Sequence, residues 1–100
     1  MSNRLRIEIS QDEVAAFCRR NHIQRLAFFG SVLRDDFGPE SDVDVLVEFE
    51  PGRTPGLAFF RMEEELAQIL GRRVDLNTSG FLSPYFRERV IAEAEVRYAA

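Results

Sequence analysis

Lysine is absent from this chain of 100 residues, so all 13 basic side chains are arginine. That omission excludes a lysyl-adenylate intermediate of the ligase type, a Schiff-base lysine and a P-loop lysine. A domain of this composition that handles nucleotides must do so through metal ions, backbone amides and arginine. Cysteine is reduced to Cys18, which cannot close an internal disulfide and fits a reducing compartment. No apolar run approaches the roughly 20 residues that cross a bilayer. Met1-Ser2-Asn3-Arg4 carries no hydrophobic signal core, so the expected location is the cytoplasm and no membrane partner is expected. There is no internal repeat, low-complexity tract or linker, and the chain reads as one domain over residues 1–100. The net charge of −4 argues against a general nucleic-acid-binding surface.

What is present, 45% hydrophobic and 30% charged residues, is the composition of an ordinary globule. Ser10-Gln11-Asp12-Glu13 is a capping box that opens a helix running to about Asn21, with Val14, Phe17 and Cys18 spaced to face a core. Gln24 to Phe29 reads as a short buried strand ended by Gly30, and Ser31 stands where a helix N-cap belongs, before the short turn Val32-Leu33-Arg34-Asp35. Gly38-Pro39 marks a turn. Val43, Val45, Val47 and Phe49 then alternate with Asp42, Asp44, Leu46 and Glu48, a strand periodicity. After the Pro51–Gly56 loop, Phe59, Met62, Leu66, Ile69 and Leu70 mark a helix that Gly71 terminates. Arg72 to Asn77 reads as another strand, and Ser83-Pro84 starts a final helix. The pattern predicts an α+β (α/β layered) fold in the order α-β-α-β-α-β-α, a small mixed sheet of about three strands covered by helices.

The chemistry concentrates in Gly30-Ser31 followed, ten residues on, by Asp42-Val43-Asp44. Residues two apart in a strand share a face, so Asp42 and Asp44 set two carboxylates side by side, a repulsion that a divalent cation removes. Mg²⁺ takes hard oxygen ligands at about 2.1 Å. Asp75, in Arg73-Val74-Asp75-Leu76, joins them if its strand pairs with Val43–Phe49. Three converging carboxylates suit one metal, or two set roughly 4 Å apart, as in in-line phosphoryl transfer. Gly30 lets the backbone approach a phosphate, and Ser31 adds a hydroxyl donor. An Asp-x-Asp pair taken alone is usually a solvated strand end. Arg34 can reach a phosphate or pair with Asp35 or Glu40.

Leu26-Ala27-Phe28-Phe29-Gly30-Ser31-Val32-Leu33-Arg34-Asp35-Asp36-Phe37 and Ser41-Asp42-Val43-Asp44-Val45-Leu46-Val47-Glu48-Phe49 resemble the nucleotidyltransferase domains of the DNA polymerase β superfamily. The closest likeness is to the minimal nucleotidyltransferase (MNT) proteins, antitoxin-like prokaryotic partners of HEPN-domain proteins, and it spans roughly residues 10–98. The resemblance implies a nucleotidyltransferase fold and an enzyme that moves NMP, here AMP from ATP, to an acceptor hydroxyl. It implies two Mg²⁺ ions on Asp42 and Asp44, with Asp75 completing the site and activating the acceptor. Gly30 and Ser31 would hold the β- and γ-phosphates. The implied acceptor is a tyrosine of a HEPN ribonuclease toxin, which AMP silences. A rival reading is a binding module with a vestigial site that neutralises the HEPN partner by occlusion. A third, a small-molecule or RNA-end nucleotidyltransferase, generally needs an added acceptor-binding domain.

The remaining residues read plainly. Cys18 is a small core residue and His22 helps end the first helix. Arg19-Arg20, Arg72-Arg73 and Glu63-Glu64-Glu65 read as solvated. Phe59, Phe60, Phe81, Tyr85 and Phe86 exceed what one small core needs, so some are expected to face a partner.

Overall fold

Ser10 opens the first helix as its capping box predicts. In this computed structural model, which describes residues 5–100 with the Phe81 side chain excepted, α1 spans Gln11–Arg20 and the Ser10 hydroxyl accepts from the Glu13 N–H at 3.3 Å. Met1–Arg4, scanned above for a signal core, lies outside the described residues. Val14, Phe17 and Cys18 are fully buried. Asn21 closes the helix and His22 turns the chain at φ 57°, the left-handed conformation of a helix exit.

The chain continues as β1 (Ile23–Phe29), a 3₁₀ turn over Gly30–Leu33, and β2 (Val43–Phe49). α2 (Ala58–Leu70) ends at Gly71, whose φ of 68° is readily adopted without a Cβ. β3 (Val74–Asn77) and a second 3₁₀ turn lead to α3 (Pro84–Glu93), where the Ser83 hydroxyl accepts from the Tyr85 N–H at 3.3 Å. β4 (Glu95–Ala99) completes a four-stranded mixed sheet in the order β3-β2-β1-β4, with β2–β3 parallel and the other pairs antiparallel.

The α+β class holds, but the sheet has one strand more than the periodicity suggested. Glu95–Ala99 continues from the final helix without a glycine or proline between them, and the alanines at 94, 99 and 100 fit a helix as well. Pairing with the free edge of β1 decides the matter, extended by the Ala100 N–H donating to the Gln24 carbonyl at 2.8 Å. Local propensity yields here to tertiary hydrogen bonding.

The two faces of the sheet differ. Leu26, Phe28, Val43, Val45, Val47 and Leu76 pack with Val14, Phe17, Met62, Leu66 and Leu70 into the main core beneath α1 and α2. Each such side chain contributes about 1.5–3 kcal/mol on burial. Phe29 and Leu46 point the other way, into a smaller cluster with Leu82, Val90 and Ala94 under α3. Asp44 shares that second face, since it stands two residues from Leu46. Phe59 is half-buried and meets Phe49 edge-on at 6.4 Å, whereas Phe60, Tyr85 and Phe86 are exposed. Glu63 is not merely solvated, because its carboxylate accepts the Leu76 N–H of β3 at 2.8 Å. Glu65 pairs with Arg20. Among the described residues, no helix is long and apolar enough to cross a membrane.

The His22 turn is open to test by urea unfolding. His22→Gly is expected to hold or raise stability, because glycine adopts this φ without strain. His22→Val is expected to lower it by about 1–2 kcal/mol, since a β-branched residue resists the left-handed region.

Candidate active site

The acidic site is assembled by strand register. β2 is flanked by β1 on one side and β3 on the other, and both neighbours present a residue at the level of Asp44. The antiparallel pairing sets Asp44 against Phe29, the last residue of β1. The parallel pairing sets it against Asp75. Asp44 and Asp75 are therefore register partners on adjacent strands, where Cβ atoms of directly paired residues lie about 5 Å apart. Asp42 precedes Asp44 by one strand repeat and is exposed at the entry to β2.

Electrostatics report the same convergence. Burial pushes the Asp44 carboxyl up to about 6, and the neighbouring Asp75 and Asp42 charges push in the same direction. Arg34 pulls it down, and a side-chain hydrogen bond with Asp75 favours the protonated form. Desolvation and like charge thus act together on one group, the combination that marks functional carboxylates.

Gly30 makes room for this group. It leaves β1 at φ 76°, and a Cβ placed there would fall 2.3 Å from Asp44 Oδ2 and 3.2 Å from its Cγ. A side chain would collide with the carboxylate. The 3₁₀ turn begins at Gly30 itself, with Phe29 as the residue before it, so Ser31 is the second residue of the turn and not its cap. Ser31 is half-buried, and its carbonyl accepts the Arg34 N–H at 2.9 Å. Chain connectivity keeps it at the same corner as Gly30. Arg34 closes the turn in an extended conformation, where it makes a loose pair with Asp36 at 3.7 Å. Among the described residues it makes no ion pair with Asp35, which takes Arg6, or with the Glu40 carboxylate.

Among the described residues, no three His, Cys, Asp or Glu side chains stand ready as a metal cage. Asp42 Oδ1 lies 3.0 Å from Arg73 Nε. Arg72-Arg73 had no motif to distinguish it from a solvated basic pair, yet both arginines bind the segment leading into β2. Asp42 and Asp75 are exposed and Asp44 is half-buried. A concavity of about 530 Å³ lies at the other end of β2, between Val47–Phe49, the 50–56 loop, Phe59 and Thr78–Gly80, and holds none of the three aspartates.

Comparison with known proteins gives the family. The family model described as nucleotidyltransferase domain matches residues 12–97. Protein adenylyltransferase MntA of Thermococcus cleftensis is 38% identical over 72 residues, covering 71% of this chain and 71% of that one. The solved structure of a proposed minimal nucleotidyltransferase is 40% identical at a TM-score of 0.70, covering 84% of this chain and 85% of that chain. A solved complex of a tri-AMPylated Shewanella oneidensis HEPN toxin with an MNT antitoxin matches at 21% identity and a TM-score of 0.65. It covers 90% of this chain and 70% of that one, a likeness of fold alone.

Two substitutions probe the corner by urea unfolding. The Asp44 carboxyl is raised in the folded protein above its unfolded value near 4, so its contribution to stability is present below that pH and fades as pH rises through about 6. Asp44→Asn removes the effect and is expected to gain about 1–2 kcal/mol on the metal-free protein between pH 4 and pH 8, after solvent screening. Gly30→Ala is expected to cost roughly 1–3 kcal/mol at any pH, from the left-handed φ and the clash with Asp44.

Proposed function

Because the chain belongs to the nucleotidyltransferase domain family, we propose that it is a metal-dependent protein adenylyltransferase, a single minimal domain that donates AMP from ATP to a hydroxyl of a protein partner. The observation that carries this reading is the register pairing of Asp44 with Asp75, opposite a glycine whose missing side chain leaves the carboxylate its place. Asp42, Asp44 and Asp75 offer hard oxygen donors of the kind Mg²⁺ takes. These three carboxylates would hold the divalent cations, which when bound would supply charge neutralisation to the triphosphate.

The chain's own residues take the other roles. Gly30 lets the backbone approach the β- and γ-phosphates, and the Ser31 hydroxyl donates to them. Arg34, which already acts on Asp44 through space, adds positive charge to the same corner. Asp75, exposed at the start of the edge strand, accepts the proton of the attacking hydroxyl in a direct in-line displacement at the α-phosphorus.

For the acceptor, we infer a tyrosine of a HEPN-domain toxin, with this chain as the antitoxin acting in the cytoplasm. Support comes from the Thermococcus cleftensis relative, named a protein adenylyltransferase, and from the Shewanella oneidensis complex, in which the HEPN toxin carries AMP. The surface suits a protein acceptor. Tyr85 is 97% exposed on α3, and Phe86, Ile91 and Val96 are exposed nearby in sequence. α3 packs on the sheet face that bears Asp44.

The decisive assay mixes the protein with ATP labelled at the α-phosphate, Mg²⁺ and a HEPN-domain partner. Label is expected on the partner, to vanish with EDTA, and to fall by about 10²-fold or more in Asp42→Asn and in Asp44→Asn. Toxin neutralisation that persists in both variants without any label points instead to occlusion by a vestigial module.

A further inference from the structure

The segment 37–41 carries the chain from the Gly30 corner to Asp42, and among the described residues it holds no helix or strand. Its own bonds are few. The Gly38 N–H donates to Ser41 Oγ at 3.1 Å, and the Ser41 N–H donates to the Gly38 carbonyl at 3.1 Å. The Phe37 N–H donates to the Arg34 carbonyl at 3.3 Å and the Phe37 ring packs against the main core. Further restraint comes from two consecutive arginines just before β3. Arg72 Nη2 donates to the Gly38 carbonyl at 2.6 Å and to the Ser41 carbonyl at 3.2 Å. The same guanidinium lies 4.4 Å from the centre of the Phe37 ring, a cation–π contact. Arg73 Nη2 donates to the Glu40 carbonyl at 2.7 Å, and its Nε meets Asp42 Oδ1 at 3.0 Å. The Arg73 backbone joins in, its carbonyl accepting the Val43 N–H at 2.9 Å. Both sides of Asp42 are thus tied to the pair.

We propose that Arg72 and Arg73 are positioning residues: Arg72 straps the segment that aims Asp42, and Arg73 holds the Asp42 carboxylate as a stand-in cation until a divalent ion takes its place. This rests on the metal site proposed above. Arg72 is half-buried, and its Nη2 donates to both carbonyls while the planar guanidinium lies over the Phe37 ring, a combined geometry that a point-charge ammonium reproduces poorly. Arg73 is different. Its side chain is 71% exposed and that of Asp42 53%, so their pair is screened and weak. A weak internal counter-ion offsets the crowding of carboxylates when no metal is bound yet yields to a divalent ion that binds oxygen more strongly. Metal entry and release of Arg73 are two sides of one exchange.

The adjacent arginines therefore have opposite expected effects, which a general loss of positive charge would not produce. Mn²⁺ titration followed by electron paramagnetic resonance reads the affinity, with amide hydrogen exchange at residues 38–42 of the metal-free protein as a second readout. Arg73→Gln is expected to bind Mn²⁺ about two- to fivefold more tightly, the worth of an exposed ion pair. Arg34→Gln, which removes a cation near Asp44 that has no bond to Asp42, is expected to tighten binding less. Arg72→Gln and Arg72→Lys are both expected to weaken binding and to speed exchange at residues 38–42 by about threefold or more. Arg73→Gln binding no tighter than Arg34→Gln, or Arg72→Lys matching the unmodified protein in both readouts, overturns the inference alone. Unmodified protein that binds no Mn²⁺ overturns the metal site and the inference together.

Discussion

Two carboxylates facing each other across neighbouring strands are the constraint around which this small domain is arranged. A parallel pairing of β2 with β3 leaves Asp44 and Asp75 no separate places to point, because directly paired residues share a face and a level. Their mutual repulsion must be absorbed by something. The surroundings show how: a proton favoured on Asp44, the field of Arg34, and a guanidinium on Asp42. The hydrophobic alternates Val43, Val45 and Val47 anchor β2 on the opposite side, so that strand cannot shift register to relieve the crowding without exposing its core residues. The domain holds its acidic corner together by the strength of the layer behind it.

Much of this is legible in the residues. The alternation from Asp42 to Phe49 gives both the strand and its two faces, and the periodicity from Phe59 to Leu70 gives the helix that Gly71 ends. The joining of Asp75 to the pair is conditional in the sequence, hanging on one strand pairing that the fold supplies. What escapes the sequence is tertiary. β4 has no boundary signal and exists through its hydrogen bonds to β1. Ser31 resembles a cap because serine before an apolar turn usually is one, but the turn starts a residue earlier, where glycine alone fits against Asp44. Arg72 and Arg73 look like any solvated basic pair, since their partners are backbone carbonyls about thirty residues earlier and carbonyls carry no sequence label.

The sheet divides its labour. One face is sealed by α1 and α2 over a continuous apolar core. The other carries the acidic corner beside a modest cluster of Phe29, Leu46, Leu82, Val90 and Ala94, which holds α3 by few contacts. α3 buries Val90 and leaves Tyr85, Phe86 and Ile91 outside. A helix so attached is a natural place for a second protein to contribute what the domain lacks, next to the site where that protein would be modified.

The bond between Glu63 and the Leu76 N–H has an effect beyond local tidiness. β3 is an edge strand, and a bare edge invites a foreign strand to add on. A carboxylate seated on that amide occupies a donor such an intruder would need and sets negative charge along its path. Growth of the sheet into a filament is thereby discouraged on the rim nearest Asp75.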